Sequence, residues 1–275
     1  MDTISLPVEY YQQFDADFER DVPAEGYGGW QQAEVEISRS HTGIVVMHAW
    51  NTGTREGFPG WHRIAEYIPR ADRICREVMP KLLAAVRQAG LPVFHVVGGG
   101  DYYKDCPGYK RAVELAGPAP EQPVVEADPI LKQLQSFKRE HSNPGLHNAA
   151  DVSAGFARLD FAPNTKPVGD EGVAEDGRQL FALCREAGVN HLIYSGFAIN
   201  MCLQNSPGGM IDMARYGIMR SVLRDAVTAV ENKETAEDEL AKEIALWLVA
   251  VNAGFVFDVE ALVAALTASD SPTAG

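Results

Sequence analysis

Cys202 is the residue of this sequence whose surroundings most favour chemistry. It follows the apolar run HLIYSG, which predicts a strand ending at Ser195-Gly196, and it starts a predicted helix that reaches Tyr216. The N–H groups at the start of a helix favour a thiolate, which is the nucleophilic form of cysteine. The same groups can hold the oxyanion of a tetrahedral intermediate. The pattern predicts a nucleophile beside an oxyanion hole; the alternative is a small buried cysteine with a packing role.

The elements around this turn alternate between strand and helix. GIVVMHAW, from Gly43 to Trp50, is a continuous apolar run typical of a strand buried on both faces. A helix at about Ala71–Gln88 follows, and then the strand LPVFHVV, which makes a βαβ unit. We predict a three-layer, Rossmann-like α/β fold: a mostly parallel sheet of about six strands with helices on both faces. Ligands bind such sheets at the carboxyl ends of the strands, where Cys202 lies.

The chain divides into one main domain with extensions. Residues 1–40 are polar and aromatic and predict an N-terminal extension, and residues 41–268 carry the alternating pattern of the domain. Residues 98–160 interrupt that pattern as an irregular insert with a short helix near Pro129–Arg139. Residues 269–275 have the composition of a disordered tail. The aromatic arm and the insert predict a homo-oligomer, either a dimer or a tetramer.

Composition excludes several classes of function. The net charge of −14 would repel a phosphate backbone or an anionic membrane surface, so we expect neither nucleic acid nor membrane as a partner. The longest apolar helical run, Ile244 to Ala253, is too short to span a bilayer. The N-terminus lacks the basic and apolar regions of a signal peptide, and no cysteines form a CxxC pair. We therefore expect a cytoplasmic protein with reduced thiols that acts on a small molecule.

The segment GVNHLIYSGFAINMC resembles the signature of the isochorismatase-like cysteine hydrolases, the superfamily of nicotinamidase and N-carbamoylsarcosine amidase. That signature is a Gly-Val-x-x-Leu strand running into Gly-Val-Ala-Thr-x-x-Cys. GIVVMHAWN, AVRQAGLPVFHV and YGIMRSVLRDAVTA are similar to other family segments. The resemblance covers roughly Thr42 to Leu266. It implies hydrolysis of an amide, ureide or related C–N bond, with the backbone N–H groups of Ile199 and Cys202 as the oxyanion hole.

The resemblance also implies a catalytic triad of Asp, Lys and Cys. Cys202 matches the nucleophile and Lys166 the lysine, although Lys166 could equally be a solvated loop residue. The family aspartate ends the first strand, and here that position holds His48. Three interpretations remain: His48 replaces the aspartate as the base, an acid such as Asp101 or Asp160 serves, or the site is inactive and binds ligands only.

Five residues around these strand ends are candidates for the substrate pocket: Trp50, Asn51, Phe58, Trp61 and Ala198. The aromatic members could wall a small planar substrate or simply pack together. The resemblance places a cis peptide at Ala198-Ile199, which a sequence cannot show. We predict no metal, because the second strand lacks the Asp-x-His of nicotinamidase-like relatives and His95 lies inside an apolar run. The proposed chemistry needs no organic cofactor.

Overall fold

A single twisted sheet organises the chain in the computed structural model, which describes residues 2–268; the predicted tail 269–275 lies outside this range. The sheet has eight strands in the order β2-β1-β8-β7-β6-β3-β4-β5. Their bounds are β1 Thr3–Gln12, β2 Gly29–Ser38, β3 Thr42–Met47, β4 Val93–Val96, β5 Gly172–Ala174, β6 His191–Phe197, β7 Met219–Thr228 and β8 Val256–Phe257.

The strands β3 to β8 are parallel, and their central members are covered on both faces. All residues of β3 and β6 are buried, as their unbroken apolar sequences predict. The α/β class is confirmed, but the predicted count of six strands is wrong because β1 and β2 add an antiparallel hairpin. This hairpin, built from the N-terminal extension, pairs antiparallel with β8 through Val8↔Phe257 and Glu9↔Val256.

Helices cover both faces of the sheet. Their bounds are α1 Pro59–Ile64, α2 Ile68–Glu77, α3 Met79–Gln88, α4 Pro107–Ala116, α5 Pro129–His141, α6 Ala149–Phe156, α7 Gly177–Ala187, α8 Cys202–Asn205, α9 Met210–Ala214, α10 Leu240–Asn252 and α11 Val259–Ala268. The core on one face takes side chains from α2, α3 and α11, and the core on the other from α4, α7, α9 and α10. These are the two outer layers of the predicted three-layer arrangement.

Two predicted helices are divided in the structure. The helix expected over Ala71–Gln88 breaks at Val78 into α2 and α3, because Pro80 cannot donate the hydrogen bond that would continue the first helix. The helix expected over Cys202 to Tyr216, with an interruption at Pro207-Gly208-Gly209, forms as α8, which ends at Asn205, and α9, which begins at Met210. The insert 98–160 contains three helices, α4, α5 and α6, and not only the one short helix predicted near Pro129–Arg139. No helix within residues 2–268 is both long and apolar enough to cross a membrane.

Candidate active site

The turn after β6 places Cys202 at the carboxyl edge of the sheet. The peptide bond between Phe197 and Ala198 is cis, and the Ala198 carbonyl accepts hydrogen bonds from the N–H groups of Met201 and Leu203, each 3.1 Å long. Cys202 follows as the first residue of α8 and is partly buried. The tight turn thus holds a thiol at the end of a buried strand, as the sequence predicts.

The backbone donors of this turn differ from expectation. The cis bond precedes Ala198, whereas the family resemblance placed it at Ala198-Ile199. The N–H of Ile199 donates to the Thr228 carbonyl oxygen at 2.9 Å and is therefore committed to β7. Between residues 2 and 268 no hydrogen bond uses the N–H of Cys202. Because α8 has only four residues, a helix dipole contributes little here, and the Cys202 N–H is the remaining donor.

Tyr67 is an ionisable residue whose pKa is affected by the charge of Cys202. Burial raises the pKa of this phenol, and the negative charges of a Cys202 thiolate and of Glu66 raise it further, so the phenol stays protonated. Glu66 is held by a two-point ion pair with Arg70, with both N···O distances 2.9 Å. Arg70 also donates to the Thr228 hydroxyl at 2.9 Å. Sequence reasoning missed this group; the Glu66–Arg70 spacing of four residues was its one local signal.

His48 lies at the end of β3, the strand next to β6. Its N–H donates to the Val96 carbonyl at 3.0 Å, and its ring stacks on Trp50 with centroids 4.4 Å apart. Burial lowers the pKa of His48 to about 4, with a smaller opposing effect from a hydrogen bond to the Val97 backbone. The imidazole is therefore neutral at pH 7, and its Nδ1 is buried without a hydrogen-bond partner. The ring faces β4, where a Cβ added at Gly98 would lie 3.3 Å from Nε2.

Lys166 is paired with a carboxylate over the same end of β3. Its Nζ lies 2.9 Å from Oδ2 of Asp160, and both side chains are about half exposed. The Asp160 carbonyl accepts the N–H of Asn51 at 2.8 Å, which ties the pair to the loop after β3. The structure thus brings His48, Lys166 and Asn51 to one edge, and Asp160, one of the alternative acids, joins them.

Cys202 lies after the end of β6, the strand paired with β3. Met47 and Gly196 are paired across β3 and β6, so the residues that follow the two strands lie at the same edge of the sheet. In the described part of the chain, no hydrogen bond or ion pair joins Cys202 to His48 or to Lys166. The two halves of the predicted site therefore share an edge of the sheet without a polar contact between them.

The candidate pocket residues near the strand ends differ in their surroundings. Trp50 donates to the Tyr102 hydroxyl at 2.8 Å and borders a crevice beside His48 that is too narrow for a water molecule. Trp61 is buried in a small core with Leu159, against which Trp50 and Phe58 also pack. Phe58 lies edge-on to Trp61 at 6.4 Å. Ala198 is 1% exposed and can present only backbone atoms.

A buried ion-pair network fixes the segment that carries Lys166. His95 is fully buried, and its Nε2 lies 2.9 Å from Oε2 of Glu171. Arg87 donates to both Glu171 oxygens, at 2.6 and 3.0 Å, and to the Lys166 carbonyl at 3.3 Å. Burial opposes ionisation, but the hydrogen bonds from His95 and Arg87 outweigh it and lower the pKa of Glu171 to about 2. His95 is thus a structural residue, as its apolar setting indicates.

Comparison with characterised proteins decides the family. The ureidoacrylate amidohydrolase RutB of Serratia proteamaculans is 31% identical over 247 residues, which cover 87% of this chain and 88% of that protein. The chain belongs to the isochorismatase-like cysteine hydrolases. No family model matches the sequence.

Solved structures with similar folds include other isochorismatase-like hydrolases. A cysteine hydrolase from Pseudomonas syringae has a TM-score of 0.47 at 15% identity and covers 85% of this chain and 95% of its own. An isochorismatase-like hydrolase from Alkaliphilus metalliredigens has a TM-score of 0.44 at 15% identity, covering 82% and 98%. N-carbamoylsarcosine amidase from Thermoplasma acidophilum has a TM-score of 0.41 at 15% identity, covering 80% and 97%.

Burial lowers the pKa of three histidines, His48, His95 and His191, which gives this isochorismatase-like protein a pH-dependent stability. Burial lowers the pKa of both His48 and His191 from 6.5 to about 4. Between pH 6.5 and 4 the unfolded chain binds protons that the folded chain does not, so the free energy of unfolding falls as the pH falls through this window. We expect a loss of about 3 kcal/mol for each of His48 and His191, measured by urea unfolding at pH 7 and pH 4.

A matched pair of variants tests the origin of this effect. His48→Gln should remove the share of the loss that His48 contributes, about 3 kcal/mol between pH 6.5 and 4. His147→Gln changes an exposed histidine and should leave the profile unchanged. Equal profiles for the wild type and both variants would contradict the assignment to His48.

Proposed function

We propose that this protein is a cysteine-dependent hydrolase of a small amide or ureide C–N bond. The observation that carries the proposal is the position of Cys202, a partly buried thiol in a tight turn at the carboxyl edge of a parallel sheet. The amidohydrolase activity named for the Serratia relative supports the reaction class. The proposed setting is the cytoplasm, where a free thiol stays reduced.

In the proposed reaction, the Cys202 thiolate attacks the substrate carbonyl carbon and a C–S bond forms. The carbonyl π electrons move to oxygen, and the Cys202 N–H donates to that oxyanion. When the carbonyl reforms, the C–N bond breaks and the amine leaves with a proton from a nearby acid. Water then transfers a proton back to that group and attacks the thioester. The C–S bond breaks, which releases the acid product and restores the thiolate.

Two groups at the end of β3 are candidates for the proton carrier. The neutral imidazole of His48 occupies the position that the family resemblance assigns to aspartate, and a neutral imidazole can accept a proton. The Asp160 carboxylate is the alternative, because it already pairs with Lys166 at 2.9 Å. In either case Lys166 supplies positive charge near the developing negative charge. We retain His48 as the first candidate, with Trp50 and Asn51 beside the substrate.

The alkylation rate of Cys202 against pH tests this proposal without a known substrate. Iodoacetamide modification is read by peptide mapping, so each cysteine reports separately. If Cys202 is the nucleophile, we expect it to be alkylated faster than Cys106 at the same pH, because the thiolate is the form that reacts. Cys106 is the internal control: it is also partly exposed, and burial raises its pKa, with Asp105 adding to the effect.

Two variants identify the proton carrier. If His48 is the base, His48→Gln should shift the Cys202 profile to higher pH and Asp160→Asn should leave it in place. The reverse result assigns the role to Asp160. If Cys202 reacts as an ordinary thiol in the wild type and both variants, the hydrolase proposal fails.

A ligand-binding protein with an altered site is the second candidate. The observation that favours it is the orientation of His48, whose ring stacks on Trp50 and faces β4. This proposal expects small amides or ureides to raise the melting temperature without being consumed. Release of amine or ammonia from such a ligand would exclude it.

A further inference from the structure

Helix α5 projects an apolar stripe into solvent. None of its residues is buried, and Ile130, Leu134 and Phe137 are 62%, 61% and 62% exposed. Their spacing places them on one face of the helix. The segment before it is equally open, since Val124 and Val125 are 87% and 96% exposed. A contiguous apolar face of this kind marks a protein-binding surface.

A groove between α9 and α10 offers a matching surface. It has a volume of about 380 Å³, and its apolar side chains include Met210, Ile211, Leu248 and Val249. Ile211 is 64% exposed. The apolar face continues along α10 from Leu248 to two exposed residues at four-residue spacing, Ile244 and Leu240. Helices α5 and α10 each have thirteen residues, so they can pack along their full lengths.

Charge selects a particular orientation for this contact. Lys138 and Arg139 are exposed in the last turn of α5, in a chain whose net charge is −14. Glu237 and Asp238 are exposed just before α10 begins. When the two helices run antiparallel, the basic end of α5 meets this acidic end, and Ile130 falls over the groove. Such complementarity steers association and suppresses other orientations.

We propose that α5 of one copy docks in the α9–α10 groove of a second copy. In its own chain α5 rests on the short turn Leu146–Asn148, and the groove is lined without it. A twofold axis would make the contact reciprocal, so that each copy gives one helix and receives one. The inference does not depend on catalysis. It identifies the surface of the homo-oligomer, a dimer or tetramer, that the sequence predicts.

Light scattering after size-exclusion chromatography tests this contact. We expect at least a dimer for the wild type and a monomer for Phe137→Asp, which places a charge inside the apolar contact. Ile211→Asp should do the same from the groove side. Phe18→Asp is the matched control, because Phe18 is 86% exposed outside both surfaces and its change should leave the mass unaltered. A monomeric wild type, or an oligomer that survives Phe137→Asp and Ile211→Asp, overturns the proposal.

Mixing two cysteine variants identifies the occupant of the groove. Ile130→Cys, whose position lies over the groove in the antiparallel packing, and Ile211→Cys are purified separately and then oxidised together. A disulfide-linked pair carrying one copy of each variant is expected in the mixture and absent from either variant alone. A chain that carries both cysteine substitutions is the control. If it closes the disulfide within itself, the groove binds α5 of the same chain, and the proposal is wrong.

Discussion

Cys202→Ala is expected to lower kcat/KM for a cleaved amide or ureide by at least about 10³-fold, because removing a nucleophile leaves only the binding contribution to catalysis. The change is small in volume, and Cys202 is partly exposed, so the fold should persist. The measurement is amine release over a panel of small amides and ureides, with the melting temperature recorded in parallel. Substrate affinity should change little, which places the loss in kcat.

The chain supplies a matched control for this experiment. Cys106→Ala removes another partly exposed thiol, which lies just before α4 within reach of the charges of Asp160 and Lys166 but outside the β6 turn, and should leave kcat/KM within a factor of about two if Cys202 is the nucleophile. Full activity in Cys202→Ala would contradict a thiol mechanism. Equal losses in both variants would point to a general effect on the fold.

Gly196→Ala is expected to lower the free energy of unfolding by at least about 4 kcal/mol, which is exceptional for a single methyl group. Gly196 has a φ of +112°, and an added Cβ would overlap the Met47 carbonyl oxygen and lie 2.8 Å from the Met47 nitrogen. Both neighbours are backbone atoms of β3, so relief requires moving a central strand. Urea unfolding measures the loss.

Gly217→Ala separates the steric effect from backbone strain. Gly217 has a φ of +73° with no atom within 4 Å of an added Cβ, so its alanine variant should lose only about 1–2 kcal/mol. If the two variants lose similar amounts, the close approach between β6 and β3 does not limit stability. A large difference would show that Gly196 is required for the strand pairing that sets the site.

The elements that the sequence predicts best are those with a local signal. The buried strands β3 and β6 are continuous apolar runs, and α5 begins after Asp128, whose carboxylate caps the helix. The hairpin was missed although β1 and β2 are neighbours in sequence, because residues 1–40 were interpreted as an extension; only the pairing of β1 with β8 is distant in sequence. No local sequence pattern predicts the pairing of β1 with β8. A polar, aromatic N-terminus is also typical of an extension outside the fold.

For the site, the sequence predicts where the residues lie along the strands but not where their side chains point. Cys202 and His48 can be placed at strand ends from sequence because each follows a strand with a clear pattern. The direction of the His48 ring depends on stacking with Trp50 and on its φ of +50°, and neither follows from residue type. Tyr67 and Glu66 reach the Cys202 turn only through packing of α2 against the sheet. The hydrogen bond from the Ile199 N–H to the Thr228 carbonyl oxygen likewise depends on tertiary structure.

The pairing of β1 with β8 sets an order of events during synthesis. The hairpin is made before β8, the strand that covers its free edge, because about 218 residues separate Ser38 from Val256. At about 10 residues per second, that edge waits roughly half a minute for its partner. An exposed strand edge is a template for pairing with other chains. Glu34 and Glu36 on β2 and Glu9 on β1 place like charges along the hairpin, and charged side chains on edge strands disfavour pairing with another chain.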